Sequence, residues 1–88
     1  MNSNLEKLKD YLEDEYRSTV NILTREELPW WLDNPNESKH LALQRGLGAV
    51  MYAQWLGEKY EDVEVIYEEY KTAIEAIIPT TKKEKRGI

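Results

Sequence analysis

The side chains of this sequence that could do chemistry are one histidine, three serines and several acidic pairs. His40 is the single histidine, and the chain has no cysteine. A nucleophile must lie within hydrogen-bond reach of its base. Ser38 lies on a different helical face from His40, and Ser3 has the position of a helix cap. We therefore predict no catalytic residues and a protein that is not an enzyme.

Glu37 and His40 form an E-x-x-H pair, a spacing that carboxylate-bridged di-metal bundles use. Those bundles add further glutamates in a four-helix core, and Glu15, inside the apolar stripe of the first predicted helix, would be a candidate. However, Glu37 also has the position of a cap residue, and a chain with 13 glutamates often contains this spacing by chance. We therefore predict no metal ion and no cofactor. His40 is expected to be hydrogen-bonded at the base of the core, and Glu15 to lie at the stripe edge.

Two overlapping E-x-x-E steps occur at Glu58, Glu61 and Glu64. They resemble the all-α nucleotide pyrophosphohydrolases, which hold magnesium with such pairs, and the resemblance implies a magnesium-dependent hydrolase. Magnesium needs converging carboxylates, whereas Glu61 and Glu64 point away from the apolar side of their helix. The residues themselves therefore predict a solvated acidic face made of Glu61, Glu64, Glu68 and Glu75.

Length and composition indicate a small globular domain. The chain has 88 residues, of which 41% are hydrophobic and 33% are charged, and this length is typical of one domain. No apolar run approaches the roughly 18 residues that a membrane span needs. No basic segment followed by an apolar run predicts a signal peptide. We therefore expect a cytoplasmic protein with no membrane partner.

Charge is unevenly distributed along the chain, whose formal net charge is −5. Residues 1–78 contain 16 acidic and eight basic residues, and residues 79–88 contain one acidic and four basic residues. An acidic body repels phosphate backbones, so we expect no direct nucleic-acid binding. We predict one helical domain over 1–78 and a disordered basic tail over 79–88.

Apolar residues at spacings of three and four predict an all-α fold, a compact three-helix domain. Ser3 and Glu6 have the spacing of a capping box. Asn34 followed by Pro35 has the composition of a helix start, and Pro79 limits the third helix. The predicted helices span about 4–27, 35–58 and 62–78.

The second predicted helix is apolar around most of its circumference. In residues 41–57 the only charge is Arg45, and large apolar residues, among them Leu47, Met51 and Trp55, crowd one side. Small residues form a seam at spacings of four, three, four and four: Ala42, Gly46, Ala49, Ala53 and Gly57. A small-residue seam lets another helix approach closely, and a helix that is apolar nearly all round is a buried one. We therefore predict a buried central helix 2, covered by the preceding connector or by a second chain, and favour a helical dimer.

Trp30 and Trp31 stand in the connector between the first two helices. Adjacent residues point in different directions, and exposed tryptophans are frequent in binding hot spots. Two interpretations remain: both rings are buried at the helix junction, or one of them contributes to an interface. The predicted protein interface consists of Trp30, Trp31, Ala42, Gly46, Ala49, Ala53, Trp55 and Gly57.

Two functions from different classes fit these features. The first is a non-enzymatic protein–protein interaction module that self-associates through helix 2 and the tryptophan connector. The second is an acidic inhibitor that imitates nucleic acid and occupies the basic groove of a nucleic-acid enzyme by charge complementarity. In size and charge the chain resembles small acidic accessory proteins of phages, although no motif carries that resemblance. A helix-turn-helix DNA binder is disfavoured, because the third helix is itself strongly acidic.

Overall fold

The part of the chain that the structure describes contains three helices, α1 (Asn4–Leu23), α2 (Pro35–Trp55) and α3 (Tyr60–Ala76), and each of them contacts the other two. The computed structural model describes residues 3–25, 30, 32 and 34–80. This part of the chain contains no β-strand, so the predicted all-α, three-helix class is confirmed. From residue 81 onward the predicted basic tail lies outside the described residues.

Side-chain caps begin the first two helices where the sequence places them. The Ser3 Oγ accepts a hydrogen bond from the Glu6 N–H at 3.1 Å. The Asn34 Oδ1 accepts from the N–H groups of Asn36 and Glu37 at 2.9 and 3.3 Å. Both predicted starts are therefore confirmed. Because the first N–H groups of a helix have no intrahelical partner, each cap contributes about 1 kcal/mol.

The helices end earlier than their hydrophobic patterns predict. α1 ends at Leu23 and α3 at Ala76, whereas the predicted ends are residues 27 and 78. α2 ends at Trp55, before Gly57, which has a φ of 109°. That left-handed conformation is one that glycine adopts without a steric penalty, and it stops the helix. α3 begins two residues before its predicted start, at Tyr60.

The core lies between the three helices and is lined by the predicted stripes of α1 and α3. Leu32, in the connector, is also buried, and the N–H of Thr80 donates to the Leu23 carbonyl at 2.9 Å. The chain after α3 therefore turns back onto the end of α1. The buried apolar residues of the central cluster are Leu8, Leu12, Leu23, Ala42, Val50, Ala53, Val63, Ile66, Tyr70, Ile74 and Ile77.

α2 turns its small residues toward the core. Ala42, Gly46 and Ala53 are buried. A Cβ at Gly46 would lie 2.9 Å from the Tyr70 Cδ2 and closer still to Cε2. The Tyr70 hydroxyl donates to the Ala42 carbonyl at 2.6 Å. The absence of a side chain at Gly46 therefore makes room for the ring of Tyr70 from α3, within one chain.

The large apolar residues of α2 lie on the opposite side of the helix and are exposed. Leu47, Met51 and Trp55, which were predicted to be covered by the connector or by a second chain, are not covered by α1 or α3. The reason is geometric: α1 and α3 cover only one side of α2, and the small residues occupy that side. Successive residues advance by about 100° around a helix, so these three residues fall away from the seam.

Two glycines of α2 should respond in opposite ways to the same substitution. In Gly46→Ala the new methyl group meets the ring of Tyr70, which its hydrogen bond to Ala42 holds in place. We expect a loss of roughly 1–3 kcal/mol in the free energy of unfolding. In Gly48→Ala the methyl group meets no heavy atom within 4 Å. We expect a gain of about 0.5–1 kcal/mol, because alanine replaces glycine inside a helix.

Urea unfolding of dilute protein, followed by circular dichroism, measures both changes. The two variants control each other, since they differ only in position on the same helix. Equal effects, or stabilisation by Gly46→Ala, would contradict the assigned contact between Gly46 and Tyr70.

Candidate protein interface

The exposed apolar side of α2 is the main candidate site. We define the outer face as Leu47, Gly48, Met51, Tyr52 and Trp55. Their spacings of three and four place them along one side of the helix. The exposed fraction is 78% for Trp55 and 60% for both Met51 and Tyr52. Contiguous exposed apolar patches of this kind mark interaction sites in soluble proteins.

Two aromatic rings of the outer face are stacked on each other. The ring centroids of Tyr52 and Trp55 are 5.8 Å apart, and their planes differ by 18°. Each ring therefore limits the movement of the other before any partner binds. Restricting side chains in advance lowers the entropy that binding must remove. Aromatic residues of this type supply much of the binding energy in known interfaces.

A groove of about 480 Å³ lies beside the outer face, between α1 and α2. Leu8, Ala49 and Ala53 contribute apolar surface to it, and the rings of Tyr11 and Tyr52 line it as well. Gly48 also lines the groove and has open space where a side chain would be. The surface therefore combines a protruding aromatic pair with an adjoining apolar recess.

An ion pair connects α1 and α2 near this groove. The Arg45 Nη1 lies 3.4 Å from the Glu15 Oε2, and the Glu15 side chain is largely buried. Burial, followed by the charge of Glu15 and a hydrogen bond to it, raises the pKa of Tyr11. Because Arg45 is partly exposed, the pair contributes at most about 1 kcal/mol. Arg45, the one charged residue in the range 41–57, therefore has a partner inside the chain.

The structure separates the residues of the predicted interface. Ala42, Gly46 and Ala53 are buried within the chain, on the side of α2 that faces α1 and α3. Ala49 is half-buried and Gly57 is exposed in the turn after α2. The remaining members are tryptophans: Trp55 and Trp30 are exposed, the latter by 87%, and Trp31 lies outside the described residues.

Of the five residues of the outer face, only Trp55 was among the predicted interface residues. The signal that could have found Leu47, Met51 and Tyr52 is the small-residue seam itself. A seam marks the side on which helices approach closely, so large residues on the opposite side must lie outside.

The predicted acidic face is exposed along α3. Glu61, Glu64, Glu68 and Glu75 are all exposed, and within the described ranges none of them forms an ion pair. A hydrogen bond to Glu64 raises the pKa of the exposed Tyr60. This surface therefore presents several uncompensated negative charges to solvent.

The residues considered for metal chemistry do not converge. His40 is exposed, not at the base of the core, and its Nε2 lies 3.1 Å from the Gln44 Nε2. The correction follows from helix geometry, since His40 lies on the side of α2 turned away from the seam. Glu15 pairs with Arg45. Residues 3–25, 30, 32 and 34–80 contain no group of three or more histidine and acidic side chains able to hold a metal ion.

Comparison with known proteins identifies no relative. No protein-family model matches the chain, and no curated protein or solved structure is significantly similar to it. Among the helices described above, none combines the length and the apolar character needed to cross a bilayer.

Alkaline pH should destabilise the protein through Tyr70. Burial raises the pKa of its phenol well above the ordinary value of 10.0, so the folded state keeps this proton after the unfolded state has lost it. The resulting stabilisation is complete below pH 10 and is lost as the pH rises toward the folded-state pKa. At neutral pH, Tyr70→Phe should lose roughly 0.5–1.5 kcal/mol with the hydrogen bond to Ala42.

Urea unfolding from neutral pH to above pH 10 tests this expectation. The free energy of unfolding of the unmodified chain should fall more steeply above pH 10 than that of Tyr70→Phe. Identical pH dependences for the two proteins would show that the phenol of Tyr70 is not the group responsible.

Proposed function

We propose that the protein is a non-enzymatic, helical protein–protein interaction module that self-associates through α2. The observation that carries this proposal is the exposure of Met51, Tyr52 and Trp55 on α2. The opposite side of this helix already packs against α1 and α3 within the chain. Covering a large apolar side chain is worth about 1.5–3 kcal/mol. Trp30 is exposed in the connector and adds a second apolar surface. A different protein could bind these surfaces in place of a second copy of the chain.

A protein partner suits the outer face better than a membrane or a nucleic acid. Helices that lie on membranes carry many lysine and arginine residues on their polar side, whereas α2 has only Lys39 and Arg45. Nucleic acid would be repelled by a chain of net charge −5. The partner we propose is therefore an apolar protein surface, and a homodimer supplies one directly.

Self-association should depend on the outer face. We expect size exclusion coupled to light scattering to give a molar mass that rises with concentration to twice that of the chain. Met51→Lys places a charge in the centre of the outer face, so it should weaken dimerisation at least tenfold. Val65→Lys is the matched control, because Val65 is similarly exposed but lies on α3.

Circular dichroism of both variants is the control for folding, and we expect both to keep the helical spectrum of the unmodified chain. A chain that stays monomeric at every accessible concentration would contradict the proposed self-association. Equal weakening by Val65→Lys would contradict the assignment to α2.

The acidic face favours a second candidate function, an inhibitor that imitates nucleic acid. Its four glutamates lie exposed along α3 and could occupy the basic groove of a nucleic-acid enzyme. Binding of this type depends on charge complementarity and weakens steeply with salt. A small acidic accessory protein of the phage type would act in this way.

Inhibition of nucleases and polymerases acting on duplex DNA tests the second function. We expect inhibition at low salt that disappears when sodium chloride is raised. The double substitution Glu64→Lys and Glu68→Lys should abolish it, whereas Met51→Lys should leave it unchanged. Inhibition that persists at high salt and in the double variant would contradict binding by charge complementarity. Absence of inhibition would contradict the second candidate function itself.

A further inference from the structure

We propose that two copies of the chain dock antiparallel along α2, with Trp55 of each copy seated in the groove at Gly48 of the other. This inference rests on the proposed self-association and adds its geometry. The proposal follows from three features of the outer face: the open groove at Gly48, the protruding ring of Trp55, and the distance between these two residues.

Gly48 is exposed where it lines the groove, and no contact inside the chain requires a glycine there. Gly46 has no side chain because Tyr70 occupies the space, whereas nothing lies within 4 Å of the position where a Gly48 Cβ would be. Glycine inside a helix lowers its stability relative to alanine. A group from another molecule that approaches α2 closely at Gly48 would explain why this position has no side chain.

The protruding group is the ring of Trp55, seven residues further along the same side of α2. It is the most exposed large apolar side chain among the described residues of this helix, and stacking on Tyr52 holds it in place. Seven residues correspond to about 10 Å along the helix axis. Recess and protrusion therefore lie two turns apart on one face.

This arrangement is self-complementary about a twofold axis. If the axis passes near Met51 and Tyr52, perpendicular to α2, it brings each Trp55 over the Gly48 of the second copy. The same surface is then used twice, as in most homodimers. A parallel pair would instead place Trp55 against its own equivalent and leave both recesses empty.

The exposed side chains and the charges agree with a dimer. Each copy contributes four large exposed apolar side chains, Leu47, Met51, Tyr52 and Trp55, so the contact between two copies covers eight of them. Two cationic residues, Lys7 and Arg45, line the groove. Arg45 has a partner in Glu15. Arg45 is therefore already paired, and docking must leave the ammonium group of Lys7 in contact with solvent.

A double-mutant cycle on the full chain tests the docking. The variants are Trp55→Ala, Gly48→Leu and the combination of both, with Val65→Ala as the exposed control on α3. Sedimentation equilibrium measures the dimer dissociation constant, and urea unfolding of dilute protein measures the stability of the monomer. Gly48→Leu fills open space with a good helix former, so the monomer should not lose stability.

Each single substitution should raise the dissociation constant at least tenfold, and the double variant should be no weaker than the weaker single variant. Such non-additivity shows that the two residues act on one contact. The docking would be wrong if either single variant left the dimer as strong as before, or if the losses in the double variant were additive. Neither outcome would contradict the proposed function. An unmodified chain that is monomeric throughout would overturn both.

Discussion

The close approach of α3 to α2 determines how the rest of the molecule is arranged. Tyr70 fits against α2 only because Gly46 has no side chain, and its hydroxyl is hydrogen-bonded to the Ala42 carbonyl. A buried hydroxyl without a partner would be costly, so this bond and the ring contact define one orientation of α2. Once the small residues face inward, Leu47, Met51 and Trp55 of the same helix must face outward.

That orientation gives the two neighbouring glycines different roles. Gly46 serves the fold, because it admits a ring from the same chain. Gly48 has no comparable contact inside the chain and lies in the groove beside Tyr52. A helix that is small on one side and large on the other can pack within its own subunit and still present Trp55 to a partner. Fold and proposed interaction therefore use opposite sides of one element.

Local features of the fold could be predicted from the sequence, because their causes are local. The caps at Ser3 and Asn34 depend on side chains two or three residues from their partners. The stripes of α1 and α3 each have a single apolar side. The helix ends were less predictable, since the contact of Thr80 with Leu23, after α3, depends on the tertiary structure.

The orientation of α2 could not be predicted from periodicity. Its apolar residues lie on both sides, so the hydrophobic pattern does not show that Met51 and Trp55 lie on the side away from α1 and α3. His40 was misplaced for the same reason. The orientation of α2 depends on residue size, because the ring of Tyr70 can approach the helix only at a residue as small as Gly46.

The most direct test of the account is the reactivity of single cysteines introduced on the two sides of α2. The chain has no cysteine of its own. In dilute protein, Met51→Cys should react rapidly with a thiol reagent and Ala42→Cys slowly, and raising the concentration should protect Met51→Cys. Equal reactivity at the two positions, or slower reaction at Met51→Cys in dilute protein, would contradict the orientation of α2 on which the proposed function depends.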